Sequence, residues 1–76
     1  MKERIIDVIS RTMEVPADSL SAASSPATVE KWDSLKHMNL VLALEDEFGI
    51  RLNDERIMKM VTVGAIVETV TELAPA

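Results

Sequence analysis

Residues Ser34 to Gly49, SLKHMNLVLALEDEFG, decide the fold. Leu35, Met38, Val41, Leu42, Leu44, Glu45 and Phe48 recur at spacings of three and four, the interval that brings side chains onto one face of an α-helix. Leu40 and Ala43 widen the apolar arc, which puts this helix at the centre of the molecule. Gly49 supplies the stop, since helices often end on a residue in the left-handed conformation that glycine adopts without a Cβ penalty. Asp33 precedes the run and is of a type that caps the first free amides of a helix. Ser34 then falls in the first turn with its hydroxyl toward solvent, and Leu35 is expected to point into the bundle and so fix that outward direction.

Outward from this segment the chain reads as further helices. Ile5, Val8, Ile9 and Thr12 give an amphipathic helix over Lys2 to Met13, which stops before Pro16. Pro16 to Asp33 has no sustained period and is rich in Ser, Ala and Pro, so it reads as a long loop. Its apolar residues Leu20, Val29 and Trp32 are expected to tie it over the helices, with Trp32 as an anchor. After the extended stretch Ile50 to Leu52, Asn53 can cap a brief helix through Met60 with Ile57 and Met60 on its apolar side. Thr62 caps the last helix, whose stripe is Val63, Ile66, Val67, Val70 and Leu73, ahead of Pro75. The β-branched residues there are spaced by three and four, which favours helix over strand. The sum is an all-α fold, a small four-helix bundle of three longer helices and one short one, with a long loop between helices 1 and 2.

At 76 residues the chain has room for one domain, 1–76, and a core of modest size. Apolar residues make up 47% and charged residues 28%, a balance that suits a folded domain better than a disordered tail. With no cysteine there is no disulfide and no thiolate ligand, so helix packing must offset chain entropy. The formal net charge of -5 repels phosphate backbones and anionic lipid, which argues against nucleic acid and membrane as partners. It favours partners that present Lys and Arg. No basic start followed by a long apolar run is present and no span reaches the ~20 apolar residues of a membrane helix, so a cytoplasmic monomer is expected.

The chemistry centres on Ser34. A phosphate esterified to its oxygen would lie near unpaired backbone amides at the positive end of the helix dipole. The plain alternative is that Asp33 and Ser34 are only a helix cap. Trp32-Asp33-Ser34-Leu35, followed by Leu40 to Ile50, resembles the acyl carrier protein family over its attachment motif and second helix, and the match runs on through Asn53-Asp54-Glu55 and Thr62-Val63. The Asp-Ser-Leu tripeptide alone does not discriminate, because Asp18-Ser19-Leu20 repeats it. Ser21 to Pro26 after that second copy offer no amphipathic helix to display the serine, so Ser19 is set aside.

The resemblance implies transfer of 4'-phosphopantetheine from coenzyme A onto Ser34, flanked by Asp33 and Leu35, by a separate phosphopantetheinyl transferase. The arm's thiol then holds acyl groups as thioesters, and tethering raises their effective concentration at each docked enzyme. By the same resemblance, acyltransferases, synthases or ligases with basic patches dock on Glu45, Asp46, Glu47, Asp54 and Glu55, with Lys36 and His37 nearby. An acyl chain would fold back among Val41, Leu44, Leu52, Ile57, Met60 and Ile66, residues that equally read as core. Lys36, His37 and Asn39 stand where carriers of fatty acid synthesis commonly show acidic or small polar residues, and Arg51 and Arg56 dilute the acidity further. That departure points to a dedicated carrier in a specialised lipid, polyketide or related pathway.

Other classes fit less well. A Ser34–His37 hydrolase would lack a nucleophile elbow, a second histidine and oxyanion donors, so His37 reads as a solvent-facing or docking residue. An EF-hand around Gly49 would place Leu44 and Phe48 at oxygen-ligand positions. No catalytic residue and no metal site are therefore assigned. An acidic helical interaction module without a prosthetic group, and a peptidyl or aminoacyl carrier, remain as alternatives.

Overall fold

The computed structural model describes residues 2–74 and is helical throughout, with no strand among the described residues. Four helices follow in order: α1 Lys2–Met13, α2 Ser34–Phe48, α3 Asp54–Lys59 and α4 Val63–Leu73. The expected all-α bundle, with one short helix and a long first connection, is what forms. Pro75, read as the stop after the last helix, lies outside the described residues.

α1 packs against both α2 and α4. It buries Ile5, Val8, Ile9 and Met13, one stripe at helical spacing. It ends on Glu14 in the left-handed region at φ 59°, with the Val15 amide returning to the Ser10 carbonyl at 3.1 Å. α4 supplies Val63, Ile66 and Val70 to the same core, and Thr62 caps it by accepting the Ala65 amide at 3.1 Å. Val67 and Leu73 pack at the core's edge.

The central helix follows its expected span but not its expected face. α2 buries Leu40, Val41, Leu44 and Phe48. Leu35 and Leu42 instead face solvent at 70% and 61% exposure, and Met38 is also exposed. Leu35 therefore does not enter the bundle. The helix is apolar around much of its circumference, so spacings of three and four define two overlapping stripes. Contact with α1 selects the stripe through Leu40 and Leu44.

The long loop is ordered by more than its apolar side chains. Trp32 is buried, and Leu20 and Val29 pack against the core as expected. A short 3-10 turn spans Ala17–Ser19. The loop backbone also reaches the start of α4, where Val63 and Gly64 donate their amides to the Ser24 and Ala22 carbonyls, each at 2.9 Å. Those bonds occupy two amides that a helix start leaves without intrahelical partners. They also bring the chains so close that a Cβ on residue 64 would sit 3.1 Å from the Ala22 carbonyl oxygen, which is why Gly64 suits that place.

Candidate functional site

Ser34 is the first residue of α2 and is exposed. Asp33 caps the helix as expected, its Oδ1 accepting the Lys36 amide at 2.8 Å, while the Asp33 carbonyl accepts the His37 amide at 2.9 Å. The amides of Ser34 and Leu35 thus sit at the positive end of a 15-residue helix, ahead of its first closed turn. Ser19, the competing serine, spends its hydroxyl on the Pro16 carbonyl at 2.7 Å inside the 3-10 turn.

Beside Ser34 lies an open, mainly apolar cleft of about 540 Å³. Trp32, His37 and Met38 form one side of it, and Ile57, Met58 and Val61 the other, so the second wall is built by α3 and the residues just after it. Met58 is 76% exposed and Val61 55%, which leaves apolar surface at the mouth, next to the serine.

His37, read from sequence as a solvent-facing or docking residue, does not stand free in solvent. It is half-buried, stacks on Trp32 with ring centroids 6.1 Å apart, and accepts the Trp32 indole N–H at Nδ1 over 3.1 Å. Its Nε2 lies 3.4 Å from the Ile57 carbonyl on α3. An indole nitrogen can only donate, and that one constraint orients the ring. Nothing in the spacing of His37 signals this role, because its partners come from the loop and from a helix twenty residues on.

Lys36 pairs within the chain. Its ammonium pairs with the Glu14 carboxylate at the end of α1, and Lys31 donates to the Glu14 carbonyl at 3.2 Å. The side-chain hydrogen bond from Lys36 and the charge of that ammonium, with the Lys31 charge adding to it, hold the Glu14 carboxyl below the ordinary value.

Among the acids, Asp46 and Asp54 are exposed, Glu47 pairs with Arg4 at 3.0 Å, and Glu55 pairs with Lys59 at 3.2 Å. Glu45 differs from them. Half-buried, it accepts the Leu52 amide on its carboxylate at 2.8 Å, while its own carbonyl accepts the Ile50 amide at 3.2 Å. It therefore fastens the linker from α2 to α3. Of the residues read as an acyl pocket, Val41, Leu44, Leu52, Met60 and Ile66 are buried in the core, and Met60 also lines the cleft beside Ser34 together with the partly buried Ile57.

Comparison with known proteins agrees with this geometry. The family model described as a phosphopantetheine attachment site matches residues 3–70. The solution structure of a holo acyl carrier protein from Geobacter metallireducens superposes with a TM-score of 0.83 at 24% identity, over 93% of this chain and 82% of that one. An apo doublet acyl carrier protein from prodigiosin biosynthesis superposes with a TM-score of 0.80 at 13% identity over 99% of this chain. The chain spans 36% of that protein's length. At these identities the two structures establish likeness of fold.

Proposed function

Because the chain belongs to the phosphopantetheine-attachment family, we propose that its covalent 4'-phosphopantetheine is esterified to Ser34 and that the loaded chain serves a specialised acyl pathway. The chain is a carrier of the acyl carrier protein type and is not itself an enzyme. When bound, the group supplies a terminal thiol on which acyl cargo is held as a thioester.

The observation that carries the Ser34 assignment is an exposed serine at the capped start of a long, partly buried helix. The residues around it fit the group. The first amides of α2 suit the phosphate, because a helix start presents unpaired N–H donors and positive dipole. The adjoining apolar cleft suits the aliphatic portion of an arm or a short acyl chain. Ser34 needs no base of its own, since activation of its hydroxyl belongs to the phosphopantetheinyl transferase. Partners then approach the outer face of α2, where Leu35, Met38 and Leu42 are exposed and Asp46 adds negative charge.

The pathway reading rests on residues at the start of α2. Lys36, His37 and Asn39 stand where the resemblance leads one to expect the acidic or small polar residues of carriers of fatty acid synthesis, and His37 here bridges Trp32 to Ile57 in the cleft wall. A dedicated lipid or polyketide carrier in the cytoplasm fits these features, with a peptidyl carrier differing only in cargo.

Coexpression with a promiscuous phosphopantetheinyl transferase, followed by intact-mass spectrometry, tests the site. Wild type and Ser19→Ala each gain one arm, and Ser34→Ala gains none. Loading of Ser34→Ala at the wild-type level overturns the assignment.

A further inference from the structure

We propose that His37, as one neutral tautomer, is the positioning residue that pins Trp32 and α3 to the start of α2 and sets the width of the cleft beside Ser34, and that protonating its ring releases the pin. The functional consequence rests on the Ser34 reading, whereas the pin itself is a property of the unmodified protein.

The tautomer follows from donor and acceptor counting. The Trp32 indole has one N–H and nothing to accept with, so Nδ1 of His37, 3.1 Å away, must present its lone pair. A neutral imidazole that accepts at Nδ1 carries its hydrogen on Nε2, which faces the Ile57 carbonyl at 3.4 Å. One ring thereby joins three parts of the chain: the end of the long loop, the first turn of α2 and the body of α3.

α3 needs such a tie. It has six residues, none of them fully buried, and a helix that short does not hold its shape unaided. Its other attachments are its two ends and the Arg56 guanidinium, which lies 3.9 Å from the Glu72 carboxylate of α4. Asn53 caps the start by accepting the Arg56 amide at 2.9 Å, and Met60 is buried just past the last turn. The bond from His37 is the polar contact to α3 on the side of the cleft, where Ile57 and Met58 form the far wall.

Adding a proton to Nδ1 converts the acceptor into a second donor aimed at the indole N–H, so the bond to Trp32 is lost and the stacked pair carries a charge. The charged groups around the ring are few. Asp33 shares the cleft lining from the loop side, and Lys36, the neighbour on α2, is paired with Glu14. α3 and the residues after it turn only Ile57, Met58, Met60 and Val61 to this space, and neither α1 nor α4 contributes to it.

Trp32 is the chain's single tryptophan, so its indole resonance reports the pin directly. In the unmodified 76-residue chain the indole proton and the Met38 and Met58 methyls are followed by NMR over about pH 8 to 5, the range in which imidazoles change charge. The pin predicts one shared midpoint for all three and indole hydrogen exchange, normalised to the intrinsic rate at each pH, at least about fivefold faster on the acid side, the scale of one lost hydrogen bond. His37→Ala gives the fast exchange at every pH. His37→Asn, whose side-chain carbonyl can take the place of Nδ1, restores slow exchange and abolishes the pH dependence. Should His37→Ala fail to fold, the wild-type titration and the Asn variant still decide the matter. A wild-type indole that ignores pH across this range, or a foldable His37→Ala with unchanged exchange, overturns the proposal. Loading at Ser34, read separately by mass, is untouched by either result.

Discussion

Glu45→Ala removes the acceptor that holds the linker between α2 and α3. The Glu45 carboxylate takes the Leu52 amide at 2.8 Å, and Leu52 is buried. A hydrogen bond to an ionised partner contributes about 1.5–3 kcal/mol net, and its loss here also leaves a part-buried amide unpaired. With about 2 kcal/mol lost, and about 4–8 °C of Tm per kcal/mol for a domain of this size, Tm falls by roughly 8–16 °C. Glu45→Gln keeps a carbonyl oxygen at the same reach without the charge, so about half of that loss is recovered. Asp46→Ala, one residue on and exposed, stays within about 0.5 kcal/mol of wild type. Thermal and urea unfolding followed by circular dichroism on the unmodified protein ranks the three. If Glu45 were only a docking acid, all three variants would unfold together with wild type. That outcome, or a Gln variant as damaged as the Ala variant, would refute the reasoning.

Leu35→Ala should change stability by less than about 0.5 kcal/mol because the side chain is 70% exposed, while raising KM for the transferase; a Tm drop of core size would restore the inward orientation. Gly49→Ala should cost about 1–2 kcal/mol, all of it from the left-handed backbone at φ 63°, since a Cβ there meets nothing within 4 Å; Gly49→Asn should cost less in the same urea melts. Glu14→Gln should reduce acid sensitivity. The depressed folded pKa of Glu14 contributes stability above its unfolded value and loses it as pH falls through the folded value, so Tm curves for wild type and variant should converge at the acid end. The effect is small because water screens an exposed pair, and parallel curves would argue against it.

The helices were legible because each carries its own local signals. Asp33, Asn53 and Thr62 all cap where their residue types suggested, through bonds of 2.8, 2.9 and 3.1 Å. The stripe of α4, and that of α1 but for Met13 being buried where Thr12 was expected, are legible because each helix is apolar on one side only, leaving a single way to face a core. α2 was misread where it is apolar on two sides: spacing alone cannot rank Leu35 and Leu42 against Leu40 and Leu44. Ser34 stands out from Ser19 in sequence by the helix that follows it, while Ser19 lies in a 3-10 turn.

Local periodicity and capping chemistry, which act over a single turn of helix, thus determined the element order, the helix ends and the exposed serine. Which face of α2 is inside, the tie from Glu45 to Leu52, the diversion of Lys36 to Glu14 and the bridge from Trp32 through His37 to Ile57 depended on tertiary structure. Each of these joins groups from different elements, or across a turn between them. No short-range pattern encodes such a meeting, because it exists only after the helices have packed.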